Sequence, residues 1–198
     1  MEKTDRNTFQ YDPEAVKALR KEGIAARDYL SAEKRKEKSA LVVERVLASE
    51  EFSEAEVVMI YKAVRGEVRL EVLELASTGK HLVYPLCVSR TEMIALEPQG
   101  EDAWMHGSYG ITEPVREKSI EISPDDIDLV ICPCTVFDED CNRIGMGGGY
   151  YDRYLAKCSK AKIIAVAFEA QKAEQIPRAE WDRPMQKVFT EAAVYMSK

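Results

Sequence analysis

Short, unbroken apolar runs set between helical patterns constrain this chain more than any other feature. Val57-Val58-Met59-Ile60-Tyr61 does not alternate between apolar and polar residues. A strand with one wet face alternates, whereas a strand covered on both faces is apolar throughout. Leu129 to Cys132 and Ile163 to Phe168 repeat the pattern, and His81-Leu82-Val83-Tyr84-Pro85 and Met93 to Leu96 read as further strands. A helix fits Tyr150 to Lys157, and Leu70, Leu73 and Ala76 with Gly79 just beyond suggest a short helix closed by a glycine. Strands alternating with helices predict right-handed crossovers and a mainly parallel sheet flanked by helices, an α/β fold. Ligands of such sheets lie at the carboxyl ends of the strands, where the loop after Cys132 falls.

An N-terminal helical segment precedes the sheet. Asp12-Pro13-Glu14 starts a helix: Asp12 caps, Pro13 suits the first helical position, and Glu14 complements the positive end of the dipole. Val16, Leu19, Gly23, Ala26 and Leu30 share one face over about five turns, with Lys17 and Arg20 off that stripe or at its edge. Ser31 caps a second helix whose charged opening gives way to Ala40, Val43, Val46 and Leu47. From Pro98 to Pro124 periodicity fades, and a loop of that length carrying Trp104 and Tyr109 is expected to be functional rather than disordered. The 198 residues suit a single domain spanning 1–198.

Charge and cysteine content narrow the function. A net charge of −7 argues against a phosphate-backbone binder, so no nucleic-acid partner is expected. Arg27, Lys34, Arg35, Lys36 and Lys38 are interleaved with Asp28, Glu33 and Glu37 and read as a solvated helix face. No apolar stretch approaches the roughly 18 residues of a membrane span, and Met1-Glu2-Lys3-Thr4-Asp5-Arg6 lacks a signal-peptide core. The expected location is therefore cytoplasmic, with no membrane partner. Five cysteines without disulfide-framework spacing fit free thiols in a reducing compartment. Cys132-Pro133-Cys134 with Cys141 lacks zinc-ligand spacing, and both histidines, His81 and His106, are remote.

Chemistry concentrates in Asn142-Arg143-Ile144-Gly145-Met146-Gly147-Gly148-Gly149-Tyr150-Tyr151-Asp152-Arg153-Tyr154-Leu155. Glycines cluster where the chain needs positive φ or where another molecule approaches the main chain. The segment is neither a phosphate loop of the G-x-x-x-x-G-K-[ST] type nor a dinucleotide fingerprint, because Tyr150 stands where the third glycine belongs. Two readings remain: glycine amides opening towards phosphate at a helix N-terminus, or a tight strand-to-helix turn. Arg143 supplies a cation and Asp152 a carboxylate to the first.

Together with Asp128-Leu129-Val130-Ile131-Cys132-Pro133 and Phe137-Asp138, this segment resembles the signature of the 5-formyltetrahydrofolate cyclo-ligase family, also called methenyltetrahydrofolate synthetases. Weaker blocks follow in the family's order: Leu19-Arg20, Gly110-Ile111-x-Glu113-Pro114, Ala167-Phe168-Glu169-x-Gln171, Trp181-Asp182-x-Pro184 and Thr190-Glu191. The resemblance implies ATP-dependent cyclisation of 5-formyltetrahydrofolate to 5,10-methenyltetrahydrofolate with release of ADP and phosphate. ATP phosphorylates the formyl oxygen, N10 attacks the activated carbon, and phosphate leaves. No protein nucleophile is demanded, so alignment and charge neutralisation are the enzyme's task.

Carried over by motif position, the resemblance implies roles for individual residues. Arg143 and the amides of Gly145, Gly147, Gly148 and Gly149 hold ATP, with Tyr150 and Tyr151 beside them. Arg20, with Lys17 nearby, resembles the basic pair by which the N-terminal helix reaches ATP, although Val16 stands where the family usually has the lysine. Glu67, Met146, Gly147, Gly148 and Tyr150 border the folate, and a carboxylate at Glu67 suits the paired donors of an aminopyrimidine edge. Tyr84, Trp104 and Tyr109 either pack on flat rings or belong to the core. Asp152 and Asp182 are the implied magnesium ligands, and Arg143, Tyr151 and Asp152 the implied catalytic residues. Their alternatives are a helix N-terminal acid for Asp152, a surface turn acid for Asp182 and a helix-start acid for Glu67. A monomer is expected, and a noncatalytic folate- or nucleotide-binding protein on the same scaffold is the alternative to an enzyme.

Overall fold

A computed structural model describes residues 11–107, 112–179 and 184–197. Two long helices open it, α1 (Pro13–Asp28) and α2 (Ala32–Leu47), each of 16 residues, followed by the short α3 (Glu50–Glu54). Asp12 caps α1 by accepting from the amides of Glu14 and Ala15 at 3.0 and 3.3 Å, and Ser31 caps α2 through the amide of Lys34 at 3.2 Å. Strands β1 (Val57–Met59), β2 (His81–Cys87), β3 (Met93–Pro98), β6 (Ser119–Ile122), β7 (Leu129–Pro133), β10 (Lys162–Val166), β11 (Lys187–Phe189) and β12 (Val194–Met196) form one sheet. Its order is β12-β11-β10-β7-β1-β2-β3-β6, and the run from β11 to β2 is parallel throughout. Helix α4 (Glu71–Ala76) lies between β1 and β2 in the chain, and α5 (Tyr150–Leu155) between β7 and β10.

Both faces of the parallel strands are covered, which is why their sequences do not alternate. Val58, Leu129, Ile131, Ile164 and Val166 point into a core shared with Val42, Val43 and Val46 of α2, Phe52 of α3 and Leu73 of α4. Met59, Val130, Cys132, Ile163 and Ala165 point the other way, against Phe137 and the Tyr154, Leu155 and Cys158 side of α5. Each face buries bulky apolar groups, the dominant source of folding free energy.

The Met93–Leu96 run is a strand, as its apolar pattern predicts, and pairs antiparallel with β2, because the turn of residues 88–92 is far too short for a parallel crossover. Two expectations are corrected. The segment from Pro98 to Pro124 is not a structureless loop: it contains β4 (Trp104–His106) paired with β5 (Thr112–Pro114), and β6 pairs with β3. Strands of three or four residues are too short to show periodicity. Arg27, expected on a solvated face, is 1% exposed. It follows Val16 and Gly23 along the buried side of α1, whereas Lys34 and Lys36 of α2 are exposed as their pattern predicts.

Candidate functional site

At the carboxyl ends of β1, β2 and β7 lies a cavity of about 440 Å³, within the range of about 300–1,000 Å³ usual for small-molecule sites. Three kinds of wall enclose it: α1 through Val16 and Arg20, residues 143–152, and the strand ends bearing Tyr61, Tyr84 and Pro133. The β5 residues Thr112, Glu113 and Pro114 close a further side.

The glycine segment is built as an exposed backbone ribbon. The β8–β9 hairpin (Val136–Phe137, Arg143–Ile144) delivers the chain to it, and Gly149 ends it as the N-cap of α5. None of the amides of residues 145–149 donates to another described residue. Gly147 has φ 97°, and a Cβ there would stand 3.3 Å from the Arg20 guanidinium carbon. Any side chain at that position is therefore both strained and crowded. Arg20 donates from Nε to the Gly145 carbonyl at 2.8 Å, which fixes its guanidinium against the ribbon.

Arg143 forms the floor. Its side chain is 4% exposed and donates to Asp152 Oδ1 at 2.7 Å and to the Pro133 carbonyl at 3.3 Å, while Nε has no partner among the described residues. The guanidinium carbon lies 5.6 Å from the Tyr151 ring centroid, a cation–π contact. Burial keeps the Tyr151 phenol protonated, and its hydroxyl has no described partner. Burial likewise pushes the Cys132 and Cys134 thiols up to about 12, so neither is a thiolate nucleophile near neutral pH.

Glu67 stands across the cavity, 8% exposed, with Oε2 accepting from the Val64 amide at 3.0 Å. Burial raises its carboxyl above the ordinary range, against the Val64 hydrogen bond and the charges of Arg27 and Arg65. Elsewhere on the cavity wall, Lys62 pairs with Glu74 at 2.7 Å and lies 4.7 and 5.1 Å from the ring centroids of Trp104 and Tyr84. Those two rings meet edge to face at 4.7 Å. Tyr84 lines the cavity, and Trp104 buttresses it from behind.

Of the residues singled out in the sequence, Arg20, Glu67, Arg143, Gly145, Met146, Gly147, Gly148, Gly149, Tyr150, Tyr151 and Asp152 all line this cavity. Lys17 does not: its side chain is 72% exposed and pairs with Glu14 at 3.7 Å. Val16 and Arg20, four residues apart, share the cavity face of α1, and a residue one position on is rotated away. Asp182 and Tyr109 lie outside the described residues. Sequence reasoning missed Lys62, Pro85, Cys87 and Met93, whose only signal was their place at or beside strand ends.

The ribbon is tied to a neighbouring loop at the same end of the sheet. Tyr150 donates its hydroxyl to the Ser89 carbonyl at 3.0 Å, and Arg153 Nε donates to the Thr91 carbonyl at 2.8 Å. Both acceptors lie in the turn between β2 and β3. Arg153 also reaches back to the Gly148 carbonyl at 2.8 Å.

For a divalent cation, the donor set is sparse but suitable. The Asp152 side chain is 51% exposed and lines the cavity, with one oxygen engaged by Arg143. Among the described residues no group of three or more His, Cys, Asp or Glu side chains could hold a metal. That fits magnesium, which keeps several waters and binds through one or two carboxylates plus substrate phosphates, better than an ion needing a protein cage.

The fold and cavity define an α/β protein whose strand-end cavity is lined by a glycine ribbon, with amides unpaired among the described residues, and by two arginines. Comparison with known proteins gives the particular family. The profile of the 5-formyltetrahydrofolate cyclo-ligase family matches residues 13–191. The 5-formyltetrahydrofolate cyclo-ligase of Mus musculus is 32% identical over 177 residues, covering 82% of this chain and 86% of that protein. The Escherichia coli K12 enzyme of the same name is 27% identical over 172 residues, 84% of this chain and 94% of its own. Among solved structures, the 5,10-methenyltetrahydrofolate synthetase of Aquifex aeolicus aligns with a TM-score of 0.81 at 31% identity, covering 91% of this chain and 92% of that one. The chain belongs to the 5-formyltetrahydrofolate cyclo-ligase family.

Proposed function

We propose that this chain converts 5-formyltetrahydrofolate to 5,10-methenyltetrahydrofolate at the expense of ATP, with the 440 Å³ cavity holding both substrates. One observation carries the reading beyond family membership: a ribbon of unpaired amides, flanked by Arg20 and Arg143, shares a cavity with the buried acceptor Glu67. Anion donors and an acceptor for N–H groups are the two kinds of contact that a nucleotide and a pterin require.

A formamide oxygen is a poor leaving group, and transfer of the γ-phosphoryl group to it creates a good one. N10 then attacks the formyl carbon, the C–O bond breaks, phosphate departs with that oxygen, and N10 gives up its proton. The amides of residues 145–149 and the Arg20 guanidinium hold the phosphates, fixed dipoles and charge needing no reorganisation as the phosphoryl group moves. Arg143, pinned by Asp152 and Pro133, neutralises charge on the transferring group, and the protonated Tyr151 hydroxyl donates beside it. Tyr150 and Met146 border the junction of the two ligands, and Glu67 accepts from the pterin edge. Asp152, with Asp182 as a second carboxylate, would hold a magnesium ion, which would supply charge neutralisation at the ATP phosphates. The same reading takes residues 1–198 as one domain, working as a monomer in the cytoplasm; the cysteines seen as free thiols suit a reducing compartment.

The test is optical. Purified protein with 5-formyltetrahydrofolate, ATP and magnesium should develop the absorbance of the methenyl product, with one ADP formed per product. A folded protein that binds reduced folate and hydrolyses no ATP would be a noncatalytic binder instead.

A further inference from the structure

Arg27 is the buried group that the proposed chemistry leaves unused. It is 1% exposed, and none of Nε, Nη1 and Nη2 has a hydrogen-bond partner among the described residues. Its backbone carbonyl accepts from the Leu30 amide at 3.2 Å and from Arg35 at 3.4 Å, which leaves the guanidinium itself unengaged among the described residues. A buried guanidinium without compensation costs several kcal/mol, so packing alone is a poor reason to place one here. The carboxylate that feels its charge is Glu67, itself 8% exposed.

Glu67 faces Arg27 from α1, Arg65 from its own loop, Tyr61 after β1, Cys134 after β7 and Tyr151 from α5. Burial keeps both phenols and the thiol neutral near pH 7. Arg65 is exposed, so water and salt screen its charge, which leaves Arg27 as the low-dielectric counterion. No hydrogen bond joins the two side chains. A guanidinium bonded to the carboxylate would occupy the oxygens that a ligand needs. One set back from it balances the charge, while Oε2 is held by Val64 and Oε1 accepts from no described residue.

We propose that Arg27 is a positioning residue, the set-back counterion that lets a buried Glu67 carboxylate face the cavity with an oxygen open to the substrate's N–H groups. The proposal rests on the folate reading of the cavity. It predicts a coupling between α1 and pterin binding that ATP contacts do not share.

The experiment compares wild type, Arg27→Met, Arg27→Lys and Arg27→Met/Glu67→Gln by steady-state kinetics across the pH range in which each remains folded, from about pH 5 to about 8.5. Removing the cation raises the Glu67 pKa further, so its ionised fraction falls as pH drops. In Arg27→Met the KM for 5-formyltetrahydrofolate should climb about tenfold towards the acid end of that range, the size of a one-unit shift. The KM for ATP and kcat should stay within about twofold, since neither ligand contact nor reacting atom is touched. Arg27→Lys should restore the wild-type profile, and Glu67→Gln should abolish the pH dependence of the Met variant. A folded Arg27→Met with a wild-type profile overturns the proposal. If the Met variant does not fold, Arg27→Gln replaces it; if neither folds while Arg27→Lys does, the charge is structural and the proposal fails. Carbon-13 NMR of the Glu67 carboxyl in ligand-free protein reads the coupling without substrate. An unchanged titration overturns it, whereas absence of methenyl product in wild type overturns only the cyclo-ligase reading.

Discussion

Arg143 and Asp152 share one ion pair but sit in opposite environments, with side chains 4% and 51% exposed. Desolvation makes the cation costly to leave unpaired and the anion cheap to alter. Arg143→Ala is therefore expected to raise the KM for ATP about tenfold, the worth of one charge-assisted contact, and the KM for 5-formyltetrahydrofolate much less. The opposite order would place the phosphates elsewhere. Asp152→Asn keeps the shape of a half-exposed side chain, so a melting curve should move little while kcat falls by about tenfold or more, as loss of a phosphoryl-transfer charge contact requires. Equal losses in both measurements would make Asp152 a structural acid. These two residues were legible because they flank a glycine cluster. Arg27 was not, because a charged residue amid charges reads as solvated, and its burial comes from its place on the Val16–Gly23 side of α1. Lys17 shows the same limit in reverse: the direction of α1 against the cavity, rather than the presence of a lysine, decides which residue lines it.

Among the elements, α1 shows how packing sets chemistry. A Cβ on Gly23 would stand 2.4 Å from the Thr135 carbonyl oxygen, a backbone atom that Gln171 holds through Nε2 at 2.9 Å. Gln171 also accepts from the Phe168 amide and donates to the Cys134 carbonyl, both within 2.9 Å, so this joint is stiff. Gly23→Ala must push α1 outward, costing about 1–3 kcal/mol as overpacked positions do. Arg20 would then leave the Gly145 carbonyl and Arg27 would shift relative to Glu67, so the expected signature is a lower melting temperature together with raised KM values for both ATP and 5-formyltetrahydrofolate. A melting shift with both KM values unchanged would separate helix position from nucleotide binding. The parallel strands were readable because burial on two faces leaves an uninterrupted apolar word. β3 was readable as a strand but not as an antiparallel one, since direction follows from the turn of residues 88–92 rather than from its own residues. β4 and β5 fall below the length at which any period can appear.

Across the whole molecule, the cavity lies where the parallel strands meet the antiparallel extension of β3 and β6. The α/β class and the ligand's place at strand ends followed from local patterns. The meeting of Glu67, Lys62 and Tyr84 with a ribbon some eighty positions later did not, because only the finished sheet brings them together. The ties from Tyr150 and Arg153 to the Ser89 and Thr91 carbonyls join those two regions directly. On the proposed reading, a nucleotide that orders the ribbon would also restrain the β2–β3 turn, and a folate binding afterwards would pay less of the ordering. Amide exchange over residues 88–92 should slow on adding ATP alone, and 5-formyltetrahydrofolate should then bind more tightly; Arg153→Ala should weaken both effects. On the proposed reading, the tyrosine and arginine at the start of α5 are the contacts through which one ligand would sense the other.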